Sequence, residues 1–596
     1  MRISGYLRGL LCSVVVLVTL LSIFLGAFSP NAIAHATRQR LASSANPHPL
    51  CSKIGTSIWA STAVRMWCNP PQPTGSSNVN VSATRSLGSN IDAADPAEDV
   101  SPSGVRGYGQ SETSIAAIGP YVVEAWNDVT GLALNLPCPS PMNKEEGTGY
   151  GFSADGGASF TDEGGLPNAQ CTKRQLIGDP SVEAWSSGGS AYFYVSSLYF
   201  PIFSPSGPPS DTRTFVAVNA CKASGTGATA SITCSQPVIV AQSTQCEAFP
   251  RGSSCSMLDK EYLSIDPRHG RLYVSYTEFG TRPPPDNRAF GQVELAACDI
   301  GTRGGGPGPL GGTAGNPVCR PGGNGTPSHP GSPYFVVAPG PNCGNTGSYP
   351  AVDVATGDVY VAYEFNLLTD VFVPGCNSKP TQNVVARVPF SCLTLPASSC
   401  TGPVSSNAVN IVTMLATGIP GYSRFPLQDF PRVAVSDSSG TVSIVWNDAG
   451  VHPLGDILLQ SFTLGDLTPV QHTPVRLNQH ASGGLHFLPA LRNANANGTL
   501  NIAWYERSSP TTTLTNVVAV LNVDPQTTST PGSNTLVTTV ATDWLKVTAF
   551  PFFPNFGDYT DNYVIATPGT SFTGTKLYIA WSDGRTGVPQ PFEAHT

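Results

Sequence analysis

A short pattern of alternating apolar and polar residues recurs seven times along this chain. Most copies place β-branched or aromatic side chains at every second position and end on an aromatic residue followed by polar ones. The copies are YVVEAWND at 121–128, YFYVSSLYF at 192–200, RLYVSYTEF at 271–279, DVYVAYEF at 358–365, TVSIVWND at 441–448, LNIAWYER at 500–507 and KLYIAWSDGR at 576–585. Alternation of this kind predicts a β-strand, and seven copies indicate a repeated structural unit.

A second strand-like phrase precedes each copy, with a turn between the two. The turns are rich in Asp, Asn and Gly, as in DPRHG at 266–270 and DSSG at 437–440. Each unit therefore opens with an antiparallel hairpin, and the distance to the next unit leaves room for two further strands. Four antiparallel strands repeated radially form a propeller blade. The sequence thus predicts an all-β fold, a β-propeller of four-stranded antiparallel blades, with seven blades preferred and six as the alternative.

A propeller also accounts for the aromatic residue of the repeat. One blade cannot bury both faces of its own sheet, so we expect the aromatic side chains to pack between neighbouring blades. The series comprises Trp126, Tyr276, Tyr363, Trp446, Trp504 and Trp581.

The string SADGGASF at 153–160 matches the Asp-box pattern, Ser-x-Asp-x-Gly-x-x-aromatic. In this pattern Ser153 and Asp155 satisfy backbone donors of a tight turn, Gly157 permits an unusual backbone angle, and Phe160 anchors the turn. Together with the repeated hairpins, the motif makes residues 106–596 resemble the sialidase-like (BNR/Asp-box) β-propellers of secreted bacterial proteins. The motif marks a fold and is not itself a catalytic site.

Composition and charge narrow the functional classes. Charged residues are only 12% of the chain, while the 61 glycines and 54 prolines favour short strands and turns. The formal net charge is −8, and the sequence has no basic stripe or lysine cluster. These features exclude a nucleic-acid partner.

The N-terminus is typical of an export signal. Arg2 and Arg8 precede an apolar run at 10–28, and small-x-small cleavage patterns follow at 32–36. We therefore assign residues 1–36 to a signal peptide and expect a secreted protein with no membrane span after cleavage. An uncleaved signal anchor is the alternative. Residues 37–105 are interpreted as a low-complexity extension or linker before the propeller at 106–596.

Cysteine usage agrees with export. Fourteen cysteines follow Cys12, and none has the CxxC spacing of zinc or redox sites. An even set in an exported chain predicts disulfide bonds. Pairing of consecutive cysteines, for example Cys221–Cys234 and Cys392–Cys400, is one of the connectivities that the sequence allows.

Acidic residues recur where the predicted innermost strands begin. One interpretation is a ring of carboxylates at the mouth of the central channel, able to hold a cation or to act as acid and base. The other is that each residue caps the turn that enters its strand. The set comprises Glu112, Asp179, Asp259, Glu261, Asp429 and Asp558.

The resemblance to sialidases implies a further set of candidates. Those enzymes hold the sugar carboxylate with three arginines, use a tyrosine nucleophile assisted by a glutamate, and use an aspartate as acid and base. By position, the implied catalytic residues are Tyr559, Asp179 and Glu261. The implied substrate-binding residues are Arg432, Arg492 and Arg424. For Arg432 a salt bridge at the surface or between blades is the alternative.

Three functions remain open at this point, one of which is a structural or cell-surface interaction role. The chain acts on or binds extracellular glycans, with exo-sialidase-type hydrolysis as the catalytic form. The alternative is a non-catalytic propeller that binds an extracellular protein, glycan or cation. No cofactor is required for any of these functions. A Ca²⁺ site at DVATGD, 353–358, is the alternative to an ordinary turn there. Metal binding by His480 and His486, which are six residues apart, is a further alternative to a plain loop.

Overall fold

The structure is a computed structural model, and the residues that it describes fall within 47–202 and 209–596. The predicted signal peptide and most of the predicted linker lie outside the described residues. The described ranges are 88–97, 109–129, 146–202, 213–243, 246–249, 252–281, 289–319, 335–338, 344–365, 382–393, 405–411, 430–479, 484–509, 512, 514–547, 557–565 and 576–596.

Seven antiparallel sheets follow one another along the chain, and each is called a blade here. Blade 1 comprises Gln110–Ile118, Tyr121–Asp128, Thr148–Ser153 and Thr161–Gly165. Blade 2 comprises Arg174–Leu176, Val182–Ser187, Ser190–Pro201, Phe215–Ser224, Ser231–Cys234 and Val238–Gln242. Blade 3 comprises Met257–Asp266, Arg271–Thr281, Ala289–Asp299, Val318–Cys319 and Phe335–Ala338. Blade 4 comprises Asn345–Val352, Val359–Phe365, Gln382–Val388 and Ser405–Ile411.

The remaining blades have the same plan. Blade 5 comprises Arg432–Ser436, Thr441–Asp448, Asp456–Thr463 and Val475–Arg476. Blade 6 comprises Leu485–Ala490, Leu500–Arg507, Leu514–Val523, Thr535–Leu536 and Thr542–Asp543. Blade 7 comprises Asp561–Val564, Leu577–Asp583, Gln590–His595 and the early strand Ile91–Asp92. A separate hairpin, Cys246–Phe249 with Gly252–Cys255, precedes blade 3, and two short 3₁₀ turns lie at Gly227–Thr229 and Phe390–Cys392.

The ring of blades is closed by the earliest described strand. Ile91–Asp92 pairs antiparallel with Gln590–His595, so the last blade takes its outer strand from the other end of the chain. The first strand of blade 1 in turn contacts the first two strands of blade 7. The prediction of an all-β propeller with seven blades is therefore confirmed. The closing strand comes from the segment that sequence analysis assigned to a linker, because two residues are too short to show an alternating pattern.

The aromatic series lies between blades. Every member is buried, and each belongs to an apolar cluster. Trp504 of blade 6, for example, shares its cluster with Val445 and Leu459 of blade 5. Burial of such large apolar surfaces is the main favourable contribution to folding, so adjacent blades stabilise one another.

Described disulfides tie outer strands to their blades. Cys221–Cys234 closes two paired strands of blade 2, and Cys298–Cys319 does the same in blade 3. Both pairings join consecutive cysteines, as the sequence allowed. Cys392 is also disulfide-bonded, but Cys400 lies outside the described residues. No helix in the described part of the chain is long and apolar enough to cross a membrane.

The residues of the predicted Asp-box lie in the turn that joins the third and fourth strands of blade 1. Ser153 Oγ accepts the backbone N–H of Gly157 at 2.9 Å and donates to Asp155 Oδ1 at 2.8 Å. Asp155 also accepts both the backbone N–H and the hydroxyl of Ser159. Phe160 packs against the cluster that contains Trp126.

This turn also contacts the closing blade. The carbonyl of Gly156 accepts hydrogen bonds from Lys576 Nζ at 2.6 Å and from Tyr578 Oη at 3.0 Å. Gly157 has φ +92°, and a Cβ added there would lie 3.0 Å from both Glu593 Oε1 and His595 Nδ1. The turn therefore needs glycine both for its backbone angle and for its packing on blade 7.

Gly157→Ala should lower the free energy of unfolding more than Gly189→Ala. Both glycines have positive φ, +92° and +75°, but an added Cβ at Gly189 meets nothing within 4 Å. The two variants therefore share the backbone strain and differ in crowding, which costs about 1–3 kcal/mol in a packed region. Urea unfolding of both variants measures the difference. Equal destabilisation would show that the turn is not packed on blade 7.

Candidate functional site at the central channel

The first strands of several blades contain a register shift, which changes the direction of the side chains beside it. In blades 1, 3, 4 and 6 the register between the first and second strands shifts within the first strand. Left-handed backbone angles lie at these shifts and at the entry to Val182–Ser187: Glu112 (φ 57°), Asp179 (φ 55°), Lys260 (φ 59°), Gly347 (φ 65°) and Leu488 (φ 51°). Such angles are unfavourable for residues other than glycine and concentrate at functional sites. Three of the five residues are charged.

One group of contacts, called the lysine cluster, joins blades 1, 2, 3 and 7. Lys260 Nζ forms an ion pair with Asp558 and lies 3.8 Å from Asp179 Oδ2. Glu112 accepts the backbone N–H of Asp558 at 2.9 Å and the amide of Asn127 at 2.5 Å. The Asn127 side chain also accepts the backbone N–H of Asp179. All five side chains are buried, so the Lys260 ammonium and the carboxyl groups interact away from water.

Two carboxyl groups of this region have raised pKa values, and Glu261 favours the protonated state. Burial raises the pKa of Asp179 to about 6, although the charge of Lys260 opposes the rise. Burial and the neighbouring Asp179 raise the pKa of Glu261 well above its usual range. Neither carboxyl oxygen of Glu261 has a hydrogen-bond partner. A buried carboxyl group in this state can donate a proton at neutral pH.

A second group of contacts, called the arginine cluster, lies around Arg492 of blade 6. Its Nη1 is 2.5 Å from Asp561 Oδ2, and its Nη2 is 3.2 Å from Glu183 Oε1. The hydroxyls of Ser114 and Ser181 accept further hydrogen bonds at 3.2 and 3.3 Å. Burial opposes the charge of Arg492, but Asp561 and Glu183 raise its pKa, so the side chain stays protonated. Arg492 is therefore already paired with carboxylates of the protein.

A third group, called the tyrosine cluster, surrounds Arg432 of blade 5. The guanidinium carbon lies 4.7 Å from the ring centroids of Tyr262 and Tyr349 and 5.6 Å from that of Tyr559. Arg432 Nη2 donates to Tyr262 Oη at 3.0 Å, whereas its Nε and Nη1 have no hydrogen-bond partner. Tyr349 Oη donates to Asp561 Oδ1 at 3.4 Å, which connects this cluster to the arginine cluster. Aromatic faces stabilise the buried cation.

Most residues selected from the sequence meet at this channel. The described candidates are Glu112, Asp179, Asp259, Glu261, Asp558, Tyr559, Arg432 and Arg492, and all are buried. Arg424 and Asp429 lie outside the described residues. Asp259 Oδ1 accepts the backbone N–H of the next residue, Lys260, at 3.0 Å. Burial raises the pKa of Tyr559 well above its usual range, which disfavours the phenolate form.

Several partners of these residues were not among the candidates that the sequence pattern indicates. Lys260 stands between two selected acids, and a lysine inside a predicted buried strand was a usable signal. Asp561 and Glu183 lie in strand-like segments, and nothing in the sequence around them indicates that they belong to the site. Their role becomes visible only when blades 2, 6 and 7 meet around Arg492.

Within the described ranges, no group of three or more His, Cys, Asp or Glu side chains is arranged to hold a metal ion. At the suggested calcium loop, Asp353 accepts two backbone N–H groups and the hydroxyl of Thr356. Asp358 forms an ion pair with Arg387. Both carboxylates of that segment thus have partners within the protein.

Comparison with known proteins gives structural likenesses only. No protein-family model and no curated protein matches the chain. Similar solved structures include an α-L-arabinanase of Penicillium chrysogenum, at 11% identity and TM-score 0.34, over 86% of this chain and 98% of that one. A Hadza microbial sialidase has 11% identity and TM-score 0.36, over 75% of this chain and 73% of that one. The sialidase of Trypanosoma rangeli has 9% identity and TM-score 0.34, over 86% of this chain and 60% of that one.

Sialidases and an arabinanase are thus among the structures that the chain is similar to, at low identity. The propeller fold itself follows from the strand pairing and ring closure described above.

Stability should fall as the pH rises from about 4 to about 6. Asp179 holds its proton more tightly in the folded chain, where its pKa is about 6, than at the ordinary value of 3.8. The folded state therefore binds more protons in this window, and its advantage is lost as the carboxyl group ionises. Asp179→Asn should flatten this part of the curve.

Unfolding by urea at several pH values measures the effect. Asp466→Asn is the control, because a hydrogen bond from Thr463 lowers the pKa of that exposed carboxyl group. The control should leave the fall between pH 4 and 6 in place. A wild-type stability that rises through this window would contradict the protonated state of Asp179.

Proposed function

We propose that this propeller is an extracellular glycan-binding protein that holds a carboxylate-bearing sugar at Arg432. The proposal is supported by the buried hydrogen-bond donors of the Arg432 side chain that have no partner among the described residues. Arg432 is 2% exposed, yet its Nε and Nη1 have no hydrogen-bond partner. Buried donors without partners are costly, and a ligand or water can complete them.

The chemistry of the tyrosine cluster suits a sugar carboxylate. A guanidinium presents its donors in a planar fork that matches the two oxygens of a carboxylate. Tyr262 accepts a hydrogen bond from Nη2, and Nε and Nη1 remain as donors, one on each edge of the guanidinium, for oxygens of a ligand. The rings of Tyr262 and Tyr349, 4.5 Å apart, add flat surfaces of the kind on which sugar rings pack.

The arginine cluster does not supply a second carboxylate-binding arginine. Arg492 already contacts Asp561 and Glu183, and a ligand carboxylate would have to displace one of them. The proposal therefore assigns anion recognition to Arg432 and an internal structural role to Arg492. Because Arg432 is almost fully buried, binding of a sugar there requires displacement of side chains that surround it.

Hydrolysis of the bound glycan is the second candidate function. Glu261 favours it, because a buried carboxyl group with a raised pKa is a ready general acid. Tyr559 lies beside Arg432, as a tyrosine nucleophile would, but its raised pKa opposes ionisation. Binding is therefore the function that the geometry supports best.

Binding of sialyllactose and lactose to the purified chain, measured by titration calorimetry, tests the proposal. The two sugars differ by the carboxylate-bearing residue, so only sialyllactose should bind through Arg432. Arg432→Gln should weaken binding by roughly 10- to 100-fold, since charge-assisted hydrogen bonds contribute about 1.5–3 kcal/mol. Arg387→Gln, in an ion pair with Asp358 away from these clusters, is the matched control.

Equal affinity for both sugars, or an unchanged affinity of Arg432→Gln, would overturn the proposal. A fluorogenic sialoside added to the same preparations decides between binding and hydrolysis. Release by the wild type that is lost in Glu261→Gln would establish hydrolysis. Binding without release would leave a non-catalytic glycan-binding propeller.

A further inference from the structure

The contact between Lys260 and Asp558 joins two distant parts of the ring. Lys260 belongs to the first strand of blade 3, and Asp558 lies just before the first strand of blade 7. The two residues are 298 positions apart in the chain. Their side chains are buried at 1% and 0% exposure and are in direct contact.

The surroundings of this contact hold both partners in place. Glu112 accepts the backbone N–H of Asp558 at 2.9 Å. The Lys260 ammonium lies 5.0 Å from the ring centroid of Phe430 and 5.9 Å from that of Tyr559. The backbone of Lys260 is left-handed, with φ 59°, an unfavourable angle for lysine that the surrounding structure must impose. A buried amine and a buried carboxyl group are thus held in contact with each other.

We propose that Lys260 and Asp558 are joined by an intramolecular isopeptide bond, with Asp179 as the group that transfers the proton. The inference does not rest on the proposed glycan function. A buried ion pair pays a large desolvation cost, and a neutral amide removes both charges. Fixing the two reactants side by side supplies the effective concentration that amide formation needs.

Asp179 is placed to assist the reaction. Its Oδ2 lies 3.8 Å from Lys260 Nζ and has no hydrogen-bond partner. Its other oxygen is 3.5 Å from the amide of Asn127, which also accepts its backbone N–H and so fixes its position. Burial raises the pKa of Asp179 to about 6. A carboxyl group whose pKa lies this close to neutral pH can both accept and donate a proton.

The step balances without any oxidant, reductant or further reactant. The neutral amine of Lys260 attacks the side-chain carbonyl carbon of the protonated Asp558, and the lone pair of Nζ forms the new C–N bond. Asp179 accepts a proton from the nitrogen and returns it to the departing hydroxyl. The C–O bond breaks, one water leaves, and a secondary amide remains. Transfer of one proton from the Lys260 ammonium to the Asp558 carboxylate converts the ion pair into the neutral amine and carboxylic acid that react.

Tryptic digestion of the reduced wild-type chain, followed by mass spectrometry, tests the bond directly. Trypsin should not cleave after a Lys260 that carries an amide. Segments 252–268 and 547–576 should therefore appear as one branched peptide, lighter by one water than the sum of its parts. Fragmentation should place the branch at Lys260 and Asp558. Lys546, exposed and 3.0 Å from Asp543, is the internal control and should be cleaved normally.

Linear peptides that end at Lys260, with no branched species, would overturn the proposal from the wild type alone. Lys260→Arg keeps a positive charge but should abolish the branched peptide, and its persistence would contradict the assignment. In freshly synthesised Asp179→Asn protein the branched fraction should form more slowly, by at least about tenfold for a lost proton-transfer group. Formation at the wild-type rate would remove Asp179 from the reaction.

Discussion

The structure depends on one constraint, which is that each blade has two apolar faces and can bury them only between two neighbours. Trp504 shows the principle, because it is fully buried only when blade 5 covers it. A row of blades would leave its two ends uncovered, so the row must close into a ring. The strand Ile91–Asp92 closes it by completing the last blade.

Ring closure has a consequence at the centre, where the first strands of all blades converge. Residues far apart in the chain meet there, as Lys260 meets Asp558 and Arg492 meets Ser114. Ionisable groups buried away from water must be paired with an opposite charge, neutralised by a change of protonation, or contacted by a ligand. Arg492 is paired, Glu261 is held protonated, and Arg432 keeps two donors without partners. The proposed function follows from these differences, because Arg432 has two donors left for a ligand and Glu261 is suited to donate a proton.

The sequence predicts the blades well because each is a local pattern of alternation ending in a buried aromatic residue. It also locates the acids of the channel, since they recur at strand starts. The pairing of charges is not local, and nothing in the sequence connects Glu183 to Arg492, 309 positions later. The closing strand escapes detection because Ile91–Asp92 is too short to alternate. Sequence thus predicts the repeat, whereas partners across the ring require the fold.

Amide hydrogen exchange of the full chain, compared with that of a variant from which residues 88–97 are deleted, measures ring closure most directly. If these residues complete blade 7, their deletion should expose the backbone of Gln590–His595, with which they pair. Protection should fall as well in Gln110–Ile118, which packs on blade 7 from the other side. Blade 4 is remote from the junction and should exchange as before. Unchanged protection in both segments would show that the ring does not close through this strand.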